Sequence, residues 1–424
     1  MKKLINTLQN FESYKIVVIA FLLLLAILWS ATLVYSYNFY NYPEGAILFT
    51  PDDRYMDFIH YAKQTFWLGS DQFFLRKEAY PFILGAPTAL FYALYSKLFA
   101  PHYVLAAYAY LSTIVFILLS MVFFVIRKVK RAKGNVVWFT VSLFSIILFA
   151  YPLWFLLDRA NPEGFVFIAL IIGFLLADKR DGVYSAFFIG LAASMKFFPA
   201  IFLFWFIYRR EYKAFFIAVI AAIIMTLIGL IVIGPTPLQA LSQILFDMGW
   251  YNNQYNVGLM GSSELRFYHS IFASIKNIIM TFYTGQIELA TVYKVYVGIA
   301  MISMLGLLYG IRNLPRINQL FILVLMMVLF APMSADYRLV QIIIPLIALF
   351  AYIFSTKNDL QWTSLINVLM PIVLIWVPTS QIHFGNWWVG GILKFIGLVW
   401  LLIVLMVTKL PSETLWPEAI NERK

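Results

Sequence analysis

Long apolar runs separated by short polar clusters follow one another along almost the whole chain. About 20 apolar residues in a helix cross the hydrocarbon core of a bilayer, and a helix satisfies its own backbone hydrogen bonds there. The sequence lacks the alternating pattern of an outer-membrane barrel. The runs predict an all-α polytopic membrane protein with spans at about 16–35, 103–126, 135–156, 164–177, 214–234, 291–309, 319–333, 339–354, 363–379 and 389–408.

Two further apolar segments do not fit this scheme as full spans. Residues 81–99 begin and finish on the outer side, and residues 184–208 leave the cytoplasm and return to it. Each limb of the second segment has about 12 residues, which rise about 18 Å and fall short of the bilayer thickness. We expect both segments to be re-entrant or broken. The pattern therefore predicts one transmembrane domain over residues 1–424, with roughly 10 to 12 helices.

Lysine and arginine concentrate in short clusters between the apolar runs, such as Arg127–Lys133 and Arg209–Lys213. The positive-inside rule assigns these clusters and both termini to the cytoplasm. The outer face then collects most of the polar residues, in a first outer loop at 36–80 and a large outer loop at 235–290. In a bacterium this arrangement is that of an inner-membrane protein whose working face is toward the periplasm or exterior.

Composition limits the classes of function. The chain is 62% hydrophobic, and its net charge of +11 follows from the positive-inside bias, so membrane lipids and not nucleic acid are the expected partners. The absence of cysteine excludes disulfides and thiolate chemistry. Four scattered histidines argue against a metal site. The apolar run that ends at Trp29 has no small-residue cleavage site after it, which predicts an uncleaved first span.

The first outer loop holds three carboxylates, Asp52, Asp53 and Asp57, in a chain that is only 12% charged. Asp53 and Asp57 are four residues apart and share one face of a helix, which Tyr61 continues. A carboxylate beside a hydrophobic wall suits a general base. The structural alternative is that these acids cap a helix at the membrane surface and pair with nearby basic residues.

Lys196 lies at the turn of the 184–208 hairpin, and Pro199 ends one limb. By length this turn reaches the middle of the membrane or the floor of a cavity, where a lysine is costly and indicates function. Its natural partner is an anion, assisted by the positive ends of half-helices. The alternative is a lysine that extends to the outer interface.

Arg338 follows the span at 319–333 and has Asp336 and Tyr337 beside it. Arginine binds phosphate oxygens through two nitrogens at once, which makes Arg338 a second candidate for an anion site. The alternative is an ion pair between Asp336 and Arg338 at the interface. Two other polar groups lie on the outer side. One is a cluster of Arg159, Asn161 and Glu163, and the other is a segment at 250–256 that is rich in aromatic and amide side chains and includes Asn253 and Gln254.

The segment at 250–256 suits sugar recognition, because aromatic faces stack on sugar rings and amides bond hydroxyls. It equally suits a corner between a helix and a loop at the interface. The Walker loop, HExxH and GxSxG motifs of soluble enzymes are all missing from the sequence.

Four segments stand in order between about residues 50 and 345: Asp57 to Ala62, Arg159 to Glu163, Gly190 to Pro199, and Ala331 to Arg338. The third, GLAASMKFFP, is similar to the G-x-A-x-x-x-K-x-x-P signature of glycosyltransferase family 87. Together they resemble this family of multi-span GT-C enzymes, of the polyprenyl-phosphate-mannose-dependent mannosyltransferase type. The chain departs from the family in having Arg159-Ala160 where members have Gly-Gln, and Tyr337-Arg338 where many have His.

The resemblance implies a GT-C bundle and a role in cell envelope biosynthesis. A carboxylate, Asp57 with Asp53 as reserve, removes the acceptor proton, and the acceptor oxygen displaces polyprenyl phosphate from C1 of the sugar with inversion. The phosphate charge needs fixed cations, a role carried onto Lys196 and Arg338. No metal or cofactor is expected. The implied partners are a polyprenyl-phosphate sugar and a glycolipid or polysaccharide acceptor, bound by Arg159, Asn161, Tyr61, Asn253, Gln254, Asp336 and Tyr337.

Two other classes of protein share some of these features. A transporter or flippase of lipid-linked sugars would have broken helices and buried charges, but it predicts related halves, which the sequence lacks. An O-antigen polymerase or ligase would be expected to rely on Arg and His in a large late loop, whereas the acids here come early. The sugar, the acceptor and the oligomeric state stay open.

Overall fold

The fold is known from a computed structural model that describes residues 2–40, 54–75, 82–177, 182–258, 265, 267–282, 288–355, 362–379, 382–384, 387–410 and 414–417. Within these ranges the chain is almost entirely helical, and its only strands are the two-residue pair β1 (His383–Phe384) and β2 (Trp387–Trp388). The predicted all-α class of membrane protein is confirmed.

The helices of the described residues vary in length from four to 39 residues. In chain order they are α1 (Lys2–Tyr40), α2 (Met56–Gln64), α3 (Gln72–Leu75), α4 (Pro87–Phe99), α5 (Tyr103–Arg131), α6 (Val136–Phe149), α7 (Tyr151–Arg159), α8 (Glu163–Leu175), α9 (Val183–Met195), α10 (Leu203–Tyr208), α11 (Tyr212–Ile233), α12 (Pro237–Tyr251), α13 (Ile271–Phe282), α14 (Leu289–Ile311), α15 (Arg316–Leu329), α16 (Ile343–Ser355), α17 (Trp362–Trp376) and α18 (Val389–Val407).

Six helical stretches among the described residues are long and apolar enough to cross a membrane, and α6 with α7 makes a seventh if that pair, bent by 52°, is one span. Several of the other predicted spans correspond to shorter apolar helices, including α8, α15 and α17. The predicted count of about ten full spans therefore stays a prediction.

The core of the molecule lies around α15 and α16. Every residue of α15 from Ile317 to Leu329 is buried, and α16 is buried along almost its whole length. A helix that is apolar on all sides and enclosed by others belongs inside the bundle. By contrast, α11 and α14 leave large apolar side chains exposed, as helices that face lipid do.

The broken region at 183–208 consists of α9, a 3₁₀ turn at Phe198–Phe202, and α10. Lys196 has extended backbone angles and interrupts the helical path between the two limbs. The amide of Gly85 donates to the carbonyl of Met195 at 2.8 Å, so the loop before α4 caps the end of α9. A side chain at Gly85 would overlap the Ser194 carbonyl, and this close approach of two backbones therefore requires glycine.

The chain reverses between α7 and α8 through Ala160, whose φ of 47° is left-handed. This turn ends α7 at Arg159 and places Asn161 just before α8. The Tyr110 hydroxyl of α5 donates to the Asn161 carbonyl at 2.7 Å and fixes the turn. A side chain at Gly164 would overlap that hydroxyl, so the glycine is needed for α5 and α8 to approach.

Candidate functional site

Asp57 lies in the first turn of α2 and faces the α7–α8 turn. The Arg159 guanidinium donates to Asp57 Oδ1 through two nitrogens, with Nε at 3.1 Å, and Asn161 Nδ2 donates to Asp57 Oδ2 at 2.5 Å. Both oxygens of the carboxylate are therefore held in a defined orientation. The Asp57 and Arg159 side chains keep 19% and 18% of their surface exposed, so a molecule outside can reach them.

Lys196 is paired with the first residue of α8. Its Nζ donates to Glu163 Oε2 at 2.6 Å, and Gln341 Nε2 approaches the other carboxylate oxygen at 3.3 Å. The Glu163 carboxylate is almost completely buried, whereas 13% of the Lys196 side chain is exposed. The lysine does not extend away to the outer interface, since it lies over the Tyr337 ring at 5.4 Å.

Arg338 completes this group from the 3₁₀ turn Asp336–Ile342 that precedes α16. Its guanidinium lies over the Phe198 ring at 4.6 Å, and Nη1 makes a long hydrogen bond of 3.4 Å to the Met333 carbonyl. The buried Nε has no hydrogen-bond partner among the described residues. A buried guanidinium with donors to spare is suited to an anionic ligand.

These side chains form one electrostatic group. Lys196 interacts with Glu163, Arg338 and Asp57, and the Tyr337 hydroxyl is within electrostatic range of the same two carboxylates. We call Asp57, Arg159, Glu163, Lys196 and Arg338 the charged cluster. It has three cationic and two anionic groups, and therefore one positive charge in excess.

Asp336 does not take part in the charged cluster. Its carboxylate is fully buried and binds Lys394 Nζ of α18 at 2.5 Å and His269 Nδ1 at 3.2 Å. The ion pair between Asp336 and Arg338, the structural alternative from the sequence, is therefore replaced by a pair with Lys394. Asp336 itself is enclosed by these partners. Any part that it has in substrate binding is therefore indirect, through the positions of its neighbours Tyr337 and Arg338.

The aromatic and amide segment lies at the end of α12. Asn252–Asn256 form a single π-helical turn, a local distortion that is often found at functional sites. Tyr251 and Tyr255 stack at 4.6 Å, and Tyr251 is within electrostatic range of Tyr337. The π-helical turn, with Asn253 exposed and Gln254 half-buried, therefore lies on the side of the molecule near Tyr337.

Lys276 of α13 fixes the far end of the π-helical turn. Its Nζ donates to the carbonyls of Tyr255 and Gly258 at 2.6 and 2.8 Å. Burial lowers the pKa of Lys276 to about 8, so the ammonium is mostly charged at neutral pH and both hydrogen bonds are charge-assisted.

Two predicted residues stand apart from this geometry. Tyr61 is buried against the rings of His60, Phe82 and Tyr92, and it supports α2 from within the aromatic core. Asp53, the reserve base, lies outside the described residues.

Sequence reasoning missed Lys394, His269 and Gln341, and it did not recognise Glu163 as the partner of Lys196. Lys394 carried a usable signal, because it is a lone charge within an apolar span. Nothing local in the sequence marks His269 or Gln341. Among the described residues, no group of three or more His, Asp or Glu is placed to hold a metal ion.

One of three comparisons with known proteins finds a match, to a protein family. The chain belongs to glycosyltransferase family 87, since the model of that family matches residues 82–332, more than half of its length. It is therefore a membrane glycosyltransferase, and the family predicted from the four sequence segments is confirmed. Neither the curated proteins nor the solved structures include a match.

Proposed function

We propose that the protein transfers a hexosyl group, mannosyl by its family resemblance, from a polyprenyl-phosphate sugar to a glycolipid or polysaccharide. The observation that carries this proposal is the charged cluster, in which Lys196 lies near both the acid Asp57 and the second cation Arg338. A transferase with a phosphate leaving group needs a base for the acceptor and fixed cations for the phosphate, at one site.

The charge of the cluster supports a donor with a single phosphate. The phosphodiester of a polyprenyl-phosphate sugar has one negative charge, which matches the one positive charge in excess. A diphosphate-linked donor would bring a second negative charge into a partly buried site, where an uncompensated charge is costly. The unpartnered Arg338 Nε is a donor available to a phosphate oxygen.

In the proposed reaction Asp57 accepts the proton of the acceptor hydroxyl. The acceptor oxygen forms a bond to C1 of the sugar while the bond from C1 to the phosphate oxygen breaks, which inverts the configuration. The electron pair of the broken bond goes to the polyprenyl phosphate, whose added charge Lys196 and Arg338 stabilise. Arg159 and Asn161 keep the Asp57 carboxylate oriented toward the acceptor.

The sugars are proposed to bind between the charged cluster and the π-helical turn. Asn253 and Gln254 supply amides for sugar hydroxyls, and Tyr337 closes the opposite side. We place this site on the outer face of a bacterial inner membrane, because the basic clusters lie at the other ends of the spans.

The test is sugar transfer by the purified protein in lipid nanodiscs, with synthetic polyprenyl-phosphate sugars offered one at a time together with membrane glycolipid extracts. We expect Asp57→Asn to lower kcat by about 10² to 10⁴-fold, the contribution of a positioned base. The control is Asp71→Asn, which alters an exposed carboxylate before α3 and should leave the rate unchanged.

Each other outcome has a definite meaning. Full activity in Asp57→Asn together with loss in Asp53→Asn would move the base to Asp53 and keep the class of donor. If no polyprenyl-phosphate sugar is consumed with any acceptor, the proposed donor is wrong.

A further inference from the structure

Asp336, Lys394 and His269 form a completely buried polar group beside the charged cluster. The side chains of all three have no exposed surface, and the two contacts of the carboxylate are 2.5 Å to Lys394 Nζ and 3.2 Å to His269 Nδ1. Burial of an ion pair is tolerated when the remaining donors and acceptors are satisfied. We call these three residues the buried triad.

His269 joins two segments of the chain as well as the carboxylate. Its backbone amide donates to the Ser334 carbonyl at 3.1 Å, and its Nε2 lies 3.3 Å from Ser334 Oγ. A neutral imidazole that donates from Nδ1 to Asp336 and accepts from Ser334 satisfies both ring contacts. The residues before α13 are in this way fixed to the residues immediately before Tyr337.

Lys394 connects the buried triad to α18, the last helix. One turn earlier on the same face of α18, Gly391 packs so closely on the Tyr268 carbonyl that a side chain there would overlap it. The Lys394 ammonium also lies 4.4 Å from the centre of the Tyr151 ring at the start of α7. Lys394 of α18 and His269, just before α13, therefore meet at Asp336, and α7 joins them through the contact of Tyr151 with Lys394.

Asp336 is followed directly by Tyr337 and Arg338 in one 3₁₀ turn. Asp336 fixes the start of that turn, and the two residues that face Lys196 extend from it. The family match ends at residue 332. Asp336 and Lys394 of the buried triad lie beyond it, whereas His269 lies within it.

We propose that the buried triad is a positioning unit that holds Tyr337 and Arg338 in the charged cluster and so sets the affinity for the donor phosphate. Its part in donor binding rests on the proposed function, whereas its part in placing Tyr337 does not. None of the three residues touches the substrate in this proposal.

A chemical reporter tests the placement without any assay of function. The chain has no native cysteine, so Tyr337→Cys introduces a single thiol whose rate of modification by a water-soluble methanethiosulfonate reports the position of the turn. We expect the rate to change by about tenfold or more when Lys394→Met is added, since an uncompensated buried Asp336 must seek water or another partner.

Asn318→Leu is the matched control in the same reporter chain. Asn318 is fully buried and donates to the Leu405 carbonyl at the other end of α18 and to the Thr408 carbonyl just after it. It also accepts from the Leu410 amide. Loss of the Asn318 amide weakens the packing of α18 at the end that lies away from the charged cluster. The rate of thiol modification at position 337 should therefore be unchanged. If Lys394→Met fails to fold, Asp336→Asn with Lys394→Met removes both charges and is measured instead.

A second readout is the binding of polyprenyl monophosphate to protein in nanodiscs. The variants for this measurement keep the native Tyr337. We expect Lys394→Met to weaken binding by about tenfold or more, as the loss of a fixed arginine contact would, and Asn318→Leu to bind as the wild type does. An unchanged reporter rate in a folded variant overturns the proposal, as does an equal change in Asn318→Leu. If the reporter changes but the wild type binds no polyprenyl phosphate, the positioning stands and the proposed donor fails.

Discussion

At the scale of single residues, the site depends on the partner of each charge. Lys196 has Glu163 as its partner, and Arg338 has an aromatic ring and one long hydrogen bond. In the proposed reaction, a phosphate that enters would compete with Glu163 for the lysine, which would weaken binding and assist release of the product. Glu163 is therefore expected to adjust phosphate affinity without touching the sugar.

Glu163→Gln tests this role. The substitution removes one negative charge and gives the cluster two positive charges in excess, so polyprenyl monophosphate should bind about tenfold more tightly, as expected for a partly buried charge contact. The measurement is product inhibition of transfer by added polyprenyl monophosphate. Glu288→Gln, at an exposed position before α14, is the control. Equal inhibition of wild type and Glu163→Gln would show that Glu163 does not compete for Lys196.

At the scale of elements, close approaches between helices set the position of the site. The α7–α8 turn presents Arg159 and Asn161 to Asp57, and it is held by the hydrogen bond from Tyr110. That bond exists because Gly164 lets α8 approach α5. Packing at one glycine thus decides where the carboxylate of α2 meets its partners.

Gly164→Ala should destabilise the protein by about 1–3 kcal/mol, because the added methyl group overpacks the contact with Tyr110. It should also lower transfer, since the Asn161 turn must move. Gly298→Ala in α14 is the matched control, because a methyl group there meets nothing within 4 Å. That variant is expected to gain about 0.5–1 kcal/mol from helix propensity. Thermal unfolding in nanodiscs compares the two, and equal stabilities would contradict the packing argument.

At the scale of the whole molecule, the proposal requires the π-helical turn and the basic clusters to lie on opposite sides of the membrane. Asn253 is exposed on the π-helical turn, and Arg131 is exposed at the end of α5. The positive-inside rule places Arg131 in the cytoplasm.

Single cysteines at these two positions test the orientation in intact cells or right-side-out vesicles. We expect Asn253→Cys to react with a membrane-impermeant maleimide from outside, and Arg131→Cys to react only after permeabilisation. The absence of native cysteine removes background labelling. The reverse pattern would place the site on the cytoplasmic side and exclude an outer-face donor.

The sequence by itself determined the helical membrane class, the break at Lys196 and the order of the family segments. These properties depend on local composition and on spacing along the chain, because lipid requires apolar helices and a lysine within such a helix is conspicuous. The sequence also singled out Asp57, Lys196 and Arg338 as residues to examine.

Only the tertiary structure decided which charges are partners. Asp57 meets Arg159 across 102 positions of the chain, Lys196 meets Glu163 across 33, and Asp336 meets Lys394 across 58. Such contacts depend on which helix faces pack together, and no spacing rule within one helix or loop can specify them. For that reason the sequence offered Asp336 and Arg338 as a local pair, whereas packing of α18 gave Asp336 a different partner and left Arg338 in the charged cluster.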